Sequence, residues 1–213
     1  MSANYNNSAW FYDRLSKVIY GKALVRSQVW LLQFIPAGSK ILIVGGGTGW
    51  ILDEIAKVHP SGLQITYAEI APNMVKLSKK RNAGNNQVVF INDGIENIKL
   101  DNDYDVVITP FLFDNFTEEN FKRIFEYIHS ALKPGGFWLN TDFRLTGKWW
   151  QKVMLKSMFL FFRTICGIEA KKLPGIQAAF SKYGHSEVKS KSFFGDFILS
   201  TLYQKSQDQT SAI

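Results

Sequence analysis

Cysteine is nearly absent from this 213-residue chain, which contains Cys166 alone. One cysteine cannot form a disulfide within the chain, so we expect a reducing compartment, the cytoplasm, and a packing role for Cys166 rather than a nucleophilic one. The chain also lacks a run of about 18 apolar residues, and its first residues have neither the basic start nor the apolar core of a signal peptide. These absences argue against a disulfide scaffold, a membrane-spanning helix and secretion.

Acidic residues are scarce in the C-terminal part of the chain. Residues 144–213 contain 11 Lys/Arg and 4 Asp/Glu, whereas residues 1–143 contain 14 of each, so the whole net charge of +7 lies after residue 143. The length suits one sizeable domain, and the hydrophobic and charged fractions, 46% and 20%, are those of a globular protein. The basic segment favours an anionic partner, but it lacks the dense basic run with interleaved aromatics that is typical of RNA binding.

A run of glycines follows the first strongly β-forming segment. Residues 40–44 predict a buried parallel strand, and the apolar residues at positions 51, 52, 55 and 56 recur at helical spacing. A strand, a glycine turn and a helix start form a cradle whose backbone N–H groups point at a ligand. Glu69, at the end of the next apolar run, is placed to accept hydrogen bonds from both hydroxyls of a ribose. The predicted cradle comprises Gly45, Gly46, Gly47, Thr48 and Gly49.

The spacing of these glycines distinguishes two kinds of cofactor. A dinucleotide fingerprint, G-x-G-x-x-G, would need glycine at position 50, where this chain has Trp50. The nicotinamide-dependent oxidoreductases are therefore disfavoured. They stay open as an alternative, as does a non-catalytic protein that binds a nucleoside cofactor.

Five motifs in order resemble those of the class I S-adenosylmethionine-dependent methyltransferases: residues 41–50, 67–74, 89–94, 104–110 and 132–139. The resemblance covers about half of the chain, is highly specific for the superfamily and says little about the substrate. It implies S-adenosylmethionine as the cofactor, with Glu69 on the ribose and Asp93 on the adenine amino group. The family usually has an acidic residue where this chain has Ile43. The other cofactor-binding residues implied are Ile70, Gly94, Ile95, Thr109 and Pro110.

The alternation of strands and helices predicts an α/β fold with a doubly wound, mostly parallel sheet. The resemblance implies seven strands with an antiparallel last strand, which a predicted C-terminal hairpin, 187–193 and 196–204, would supply. We expect an N-terminal helical lid segment (1–39), a methyltransferase domain (40–205) and a flexible tail (206–213).

Methyl transfer from a sulfonium is an in-line displacement on an activated carbon, so a base is needed only when the acceptor must lose a proton. The carboxyl ends of the strands, where open α/β sheets bind ligands, offer Asp114 and Asp142 as candidate catalytic residues. Tyr12 resembles the tyrosine that covers the cofactor in several small-molecule methyltransferases. Each has a plainer interpretation: a turn cap for Asp114, an ion pair with Arg144 for Asp142, and core packing for Tyr12. No metal site is predicted.

Motifs that this sequence does not contain narrow the class of methyl acceptor. Residues 109–112, Thr-Pro-Phe-Leu, do not match the Asn/Asp-Pro-Pro-aromatic motif of amino-directed DNA methyltransferases, and no cysteine lies nearby for cytosine methylation. The predicted helix around 149–163 carries Lys152, Lys156 and Arg163 in one narrow stripe and is otherwise almost entirely apolar. Such a helix is well covered, forms a lid over a lipophilic acceptor, or contacts an anionic membrane. The sequence therefore favours methyl transfer to a small, hydrophobic molecule and not to DNA, with peripheral membrane contact as a possibility.

Overall fold

The computed structural model describes residues 21–167 and 170–207, which form one mixed sheet covered by helices. Its strands are β1 (Lys40–Val44), β2 (Ser61–Ala68), β3 (Asn85–Ile91), β4 (Tyr104–Pro110), β5 (Leu132–Phe143), β6 (His185–Phe193) and β7 (Ile198–Lys205). The helices are α1 (Ala23–Leu32), α2 (Trp50–Val58), α3 (Pro72–Ser78), α4 (Glu118–Ala131), α5 (Trp149–Cys166) and α6 (Ile176–Lys182). Short 3-10 turns cover Ile95–Asn97 and Phe113–Asn115.

The seven strands lie in the order β3-β2-β1-β4-β5-β7-β6. The first five run parallel to one another, whereas β7 is antiparallel to both β5 and β6. From β1 the chain winds outward through β2 to β3 and then crosses back to β4 on the other side of β1, so β1 and β4 are adjacent at the topological switch point. The expected doubly wound, seven-stranded fold with an antiparallel C-terminal hairpin is confirmed.

The sheet is packed on both faces, and β1 shows why its sequence is continuously apolar. Leu42 and Val44 point into one core cluster, and Ile41 and Ile43 point into the other, as the two-residue period of a strand requires. The first cluster is rich in aromatic rings from α4, α6 and the strands β5 and β7. The second cluster packs α1 and α2 on the opposite face.

The N-terminal segment expected as a lid is described only from residue 21 onward. Within that part α1 packs on the sheet: Leu31 and Leu32 are buried, and the Ser200 hydroxyl of β7 donates to the carbonyl oxygen of Ser27 at 2.8 Å. Tyr12, and with it the predicted cover over the cofactor, lies outside the described residues, as does most of the predicted tail. The proposed division into segment, domain and tail stays a prediction.

Two details of the sheet are not evident from local sequence patterns. His185 is the first residue of β6 and is buried, with Nε2 2.9 Å from Nδ1 of His129. Strand β5 begins at Leu132, and its register with β4 shifts between Tyr104 and Val106. It therefore includes Pro134 and Gly135, although proline and glycine usually interrupt strand pairing.

Among residues 21–167 and 170–207, no helix is both long and apolar enough to cross a membrane. Because β1, β2, β4 and β5 are parallel, their carboxyl ends lie at one edge of the sheet. That edge collects the glycine run, Glu69, the loop after β4 and Asp142.

Candidate active site

The glycine run joins β1 to α2 through a left-handed turn. Gly45, Gly47 and Gly49 have φ of 70°, 62° and 77°, a region that residues with a Cβ rarely occupy. The N–H of Gly45 donates to the carbonyl oxygen of Ala68 at 2.9 Å, which ties the turn to the end of β2. Gly49 is the residue before the first turn of α2, so the run leads directly into a helix N-terminus.

Two of these glycines are required by the protein's own packing. A Cβ on Gly46 would lie 2.4 Å from the hydroxyl oxygen of Tyr67, and a Cβ on Gly49 would lie 2.4 Å from Cβ of Ser78. The Tyr67 hydroxyl donates to the carbonyl oxygen of Gly47 at 3.0 Å, so a fully buried ring supports the turn from below. At Gly47 the nearest atom to an added Cβ is 3.8 Å away, and there the positive φ is the constraint. The glycines are therefore required by the packing of the turn itself as well as by the close approach of a ligand.

Glu69 closes the cradle from the end of β2. One carboxylate oxygen accepts the N–H of Gly47 at 2.9 Å, and the other accepts the N–H of Ala71, also at 2.9 Å. The side chain is 6% exposed, and burial raises the pKa of Glu69 above its usual value, although the backbone N–H donors partly offset that effect. A buried carboxylate is thus fixed against the glycine turn, where the resemblance places a ribose.

Two positioning residues were not found by sequence reasoning. Asn92 donates through Nδ2 to the carbonyl oxygens of Glu69 at 2.9 Å and of Ile70 at 3.0 Å, joining the ends of β2 and β3. Arg81 donates through Nε to the carbonyl oxygen of Thr48 at 3.0 Å. Both contacts join segments more than twenty residues apart, and no local pattern in the sequence signals them.

The residues predicted to hold the adenine lie beside Glu69. Asp93 is exposed, and its Oδ1 accepts the N–H of Gly94 at 2.7 Å and Nδ2 of Asn97 at 2.8 Å, so its side chain is held against the 3-10 turn. Ile70 is 38% exposed at the same edge, as a stacking surface requires, whereas Ile95 is buried in the aromatic core. The structure therefore brings Asp93, Gly94 and Ile70 to the cradle and turns much of Ile95 away from it.

Thr109 and Pro110 end β4 at this edge, but the Thr109 side chain faces inward. Its hydroxyl donates to Oδ1 of Asn140 at 2.8 Å and accepts Nε1–H of Trp138 at 2.9 Å, with no exposed surface. The Thr109 hydroxyl is therefore committed to the core rather than to a cofactor.

The loop after β4 begins in a strained conformation. Phe111 has φ of 51°, unusual for a residue with a Cβ, and its ring packs against Phe143 with centroids 5.0 Å apart. Leu112 turns back toward the glycine run: its Cδ1 would be 2.9 Å from a Cβ on Gly45. Phe113 is fully buried in the aromatic core. Of these three loop residues, Phe111 therefore shares a cluster with α5, and the other two do not.

Asp114 and Asp142 form a buried carboxyl pair between the ends of β4 and β5. Asp142 accepts the N–H of Phe113 at 3.1 Å and of Phe143 at 2.8 Å, so it holds the loop after β4. Asp114 accepts Nδ2 of Asn115 at 2.8 Å. Asp114 and Asp142 are 7% and 3% exposed, and they lie close enough for the charge of Asp142 to act on Asp114. Sequence reasoning had considered the two residues separately.

Burial changes the acidity of both groups. It raises the pKa of Asp142 to about 7, against backbone N–H donors that lower it. Burial and the negative charge of Asp142 together raise the pKa of Asp114 well above its usual range. Two adjacent buried carboxyls cannot both ionise readily, so the pair retains a proton near neutral pH. Arg144 binds the C-terminal hairpin instead of pairing with Asp142. Its guanidinium donates to the Ser192 hydroxyl at 2.6 Å and to the Asp196 carbonyl oxygen at 3.1 Å.

A surface cleft of about 390 Å³ lies elsewhere, near the amino ends of β2 and β3. It is lined by Asp53, Ala56, Lys57, Pro60, Asn82, Gly84 and Asn85. Open α/β sheets bind ligands at the carboxyl ends of their strands, so this cleft is not the candidate site.

Residues 41–136 match a family model described as a methyltransferase domain. A malonyl-[acyl-carrier protein] O-methyltransferase of Bacillus cereus is 27% identical over 60% of this chain and 48% of its own length. The ubiquinone/menaquinone biosynthesis C-methyltransferase UbiE of Geotalea daltonii is 28% identical over 81% of this chain and 71% of its own. The chain spans about half the length of the first curated relatives it matches.

Solved structures agree in fold. Magnesium protoporphyrin IX methyltransferase from Synechocystis PCC 6803, with bound SAH, superposes with a TM-score of 0.64 at 16% identity, covering 86% of this chain and 82% of that one. Human N-acetylserotonin methyltransferase in complex with SAM gives 0.66 at 20% identity, covering 93% and 55%. At these identities the likeness establishes the fold and nothing finer.

Proposed function

Because this chain belongs to the class I S-adenosylmethionine-dependent methyltransferase superfamily, we propose that it transfers the methyl group of S-adenosylmethionine to a small, hydrophobic acceptor by in-line displacement. The match to a methyltransferase domain and the relatives named as methyltransferases support S-adenosylmethionine, the cofactor expected from the resemblance. The proposal includes a reducing compartment, the cytoplasm, because the sequence contains a single cysteine.

The observation that best supports the proposal is the contact between Glu69 and Gly47. It fixes a buried acceptor of hydrogen bonds at the end of β2, directly across from the turn that leads into α2. A ribose bound beside this contact would donate both hydroxyls to Glu69 while the methionine part follows the glycine turn. Ile70 and Asp93, at the neighbouring strand ends, are in position for the adenine.

A hydrophobic acceptor is supported by the aromatic cluster next to the carboxyl pair. The rings of Phe111, Phe143 and Phe197 pack in series, with centroid distances of 5.0 Å for each neighbouring pair, and Leu155 and Phe159 of α5 join them. Among the relatives, a demethylmenaquinone methyltransferase of Clavibacter sepedonicus is 25% identical over 64% of this chain. That name agrees with an apolar acceptor for this chain as well.

The carboxyl pair supports a role in proton removal. In the displacement, the bond from sulfur to the methyl carbon breaks as the acceptor atom bonds to that carbon, and the sulfur keeps the electron pair. An acceptor that carries a hydrogen must then release a proton. We assign the uptake of this proton to Asp114 in its ionised form, since the main-chain donors on Asp142 commit that residue to holding the loop. Because burial and the charge of Asp142 raise the pKa of Asp114, this form is populated toward alkaline pH, and transfer to a proton-bearing acceptor should accelerate as the pH rises.

Thermal unfolding with different cofactors tests the first part of the proposal. S-adenosylmethionine and S-adenosylhomocysteine should each raise the melting temperature, because ligands that bind only the folded state stabilise it. NAD should leave it unchanged. A shift with NAD and none with either sulfur compound would instead favour the oxidoreductase alternative.

Transfer of a radiolabelled methyl group tests the acceptor. We expect label in a demethylmenaquinone-type quinol and none in phosphoethanolamine, the acceptor named for a Plasmodium falciparum relative. Transfer only to phosphoethanolamine would refute the hydrophobic acceptor. Cofactor binding without transfer to either compound, or to a broader set of apolar acceptors, would favour the non-catalytic alternative.

A further inference from the structure

Helix α5 has two apolar faces, and only one of them is buried. Leu155 and Phe159 are each 6% exposed and pack against the end of the sheet. Trp149, Val153 and Leu160, in contrast, are 76%, 58% and 63% exposed. At 100° per residue these three side chains fall within about 40° of one another, so they form one outward apolar stripe.

A basic stripe runs directly beside the apolar one. Lys152, Lys156 and Arg163 are exposed and fall within about 40° of one another on the same helix. Across residues 21–167 and 170–207, none of the three forms an ion pair. Lys148, just before the helix, is different because it is 2.9 Å from the carboxylate of Asp196. The two stripes together cover about 21 Å of helix, at a rise of about 1.5 Å per residue.

The helix is firmly held from its inner side, which makes the outer face a fixed surface. Gln151 is fully buried: its Oε1 accepts the N–H of Thr146 at 2.8 Å, and its Nε2 donates to the carbonyl oxygen of Gly195 at 3.1 Å. The ring of Trp150 contacts Phe194 and Phe197 of the hairpin region. With this anchoring, the exposed stripe is presented to the outside and cannot turn inward without breaking the helix contacts.

We propose that this outer face of α5 binds an anionic bilayer surface. An apolar stripe with tryptophan at one end suits the boundary between head groups and acyl chains, and adjacent lysine and arginine side chains suit anionic head groups. The charge of the surrounding segment agrees, since residues 144–213 carry the whole net charge of +7.

Charge also argues against two other partners for this face, a second copy of the chain and the chain's own residues 1–20. A second copy of the chain, docked by a two-fold axis through α5, would bring two basic stripes together. Residues 1–20 contain two basic residues and one acidic residue, so they carry no net negative charge to match the stripe. An anionic lipid surface can bind both stripes at once, the basic one through its head groups and the apolar one at the boundary with the acyl chains.

This inference goes beyond methyl transfer and does not depend on it. If the proposed function also holds, the two are linked by position: α5 follows β5, whose carboxyl end carries Asp142, and the inner face of α5 joins the cluster of Phe111 and Phe143. Seating on a bilayer would then bring the acceptor side of the site toward the phase in which a lipophilic acceptor dissolves.

Sedimentation with vesicles tests the proposal in the absence of cofactor. The protein should bind vesicles of phosphatidylglycerol and phosphatidylcholine in equal parts, bind pure phosphatidylcholine far more weakly, and detach as salt is raised. The triple variant Lys152→Gln, Lys156→Gln, Arg163→Gln should bind about a hundredfold more weakly, since each basic residue near the surface contributes roughly fivefold. Trp149→Ser with Leu160→Ser should also weaken binding.

The matched control is Lys99→Gln, Lys122→Gln, Arg123→Gln, which removes two lysines and one arginine from exposed positions outside α5. It should bind vesicles as the unchanged protein does. Equal loss in the control would show that net charge alone drives binding and would overturn the assignment to α5. The proposal is also overturned if the unchanged protein ignores anionic vesicles. The same holds if size-exclusion chromatography shows a dimer that the α5 variants dissociate.

Discussion

Replacing Glu69 tests the cradle most directly. Its carboxylate accepts the N–H groups of Gly47 and Ala71 in the free protein, both at 2.9 Å, and the proposed ribose would donate two further hydrogen bonds. A carboxylate offers about four acceptor positions, so all four bonds can coexist. Glu69→Ala removes every one of them, and Glu69→Gln keeps the shape of the side chain but only one acceptor oxygen.

The loss of the two ribose bonds and the loss of the two backbone bonds should appear in different measurements. A hydrogen bond to a charged group contributes about 1.5–3 kcal/mol, so losing two ribose bonds should weaken cofactor binding at least tenfold, which corresponds to about 1.4 kcal/mol. The free energy of unfolding without cofactor should also fall, by about 1–3 kcal/mol. This fall is limited because burial raises the pKa of Glu69, which means that the empty site already disfavours the charged form. Removing the carboxylate relieves that cost.

Calorimetric titration with S-adenosylhomocysteine and urea unfolding measure the two effects separately. Glu126→Ala, at an exposed position in the middle of α4, should change neither. We expect Glu69→Gln to lie between the unchanged protein and Glu69→Ala in affinity. A loss of stability with unchanged affinity in Glu69→Ala would show that Glu69 only holds the glycine turn, and the reasoning about the ribose would be wrong.

Three further outcomes follow from other contacts. Asp114→Asn should slow single-turnover transfer to a proton-bearing acceptor by about 10²–10⁴-fold and remove the acidic limb of its pH profile, with cofactor affinity unchanged; an unaltered profile would contradict proton uptake there. Gly46→Ala should lower the free energy of unfolding in urea by about 1–3 kcal/mol, because the new methyl group would meet the ring of Tyr67, whereas Gly175→Ala, with its nearest side-chain neighbours at 3.8 and 4.0 Å, should not. Burial lowers the pKa of His185 to about 3, so the unfolded chain binds more protons than the folded protein below pH 6.5. Unfolding at pH 7 and pH 5 should show a loss of about 1–2 kcal/mol at the lower pH that His185→Phe reduces; an equal loss in the variant would refute this cause.

The parts of the site that sequence reasoning predicted are those built from contiguous residues. The glycine turn, the position of Glu69 one residue beyond β2, and the C-terminal hairpin each follow from short patterns whose physical meaning is local. Their places in the sheet then follow from the parallel order of the strands. Thr109 shows the limit of this reasoning, because the motif identified the residue but not that its side chain hydrogen-bonds in the core.

The parts that sequence reasoning missed are contacts across the sheet. Tyr67 supports the turn from the neighbouring strand, Asn92 joins the ends of β2 and β3, and Asp114 meets Asp142 from a different strand end. Each contact depends on register and on which face a side chain occupies. A single sequence specifies neither of these until the strands are paired.

The uneven charge of the chain acquires a structural reason when the two halves of the site are compared. On the cofactor side the polar groups meet one another: Glu69 takes backbone N–H groups, Arg81 binds the Thr48 carbonyl oxygen, and that part of the chain is neutral. On the side that we propose for the acceptor, α5 leaves its basic residues exposed beside an apolar stripe. A net positive charge confined to this part of the chain would orient the protein on an anionic surface, and neither of the cradle contacts just named involves it. The two properties could then be changed independently, and the α5 variants should retain full cofactor affinity.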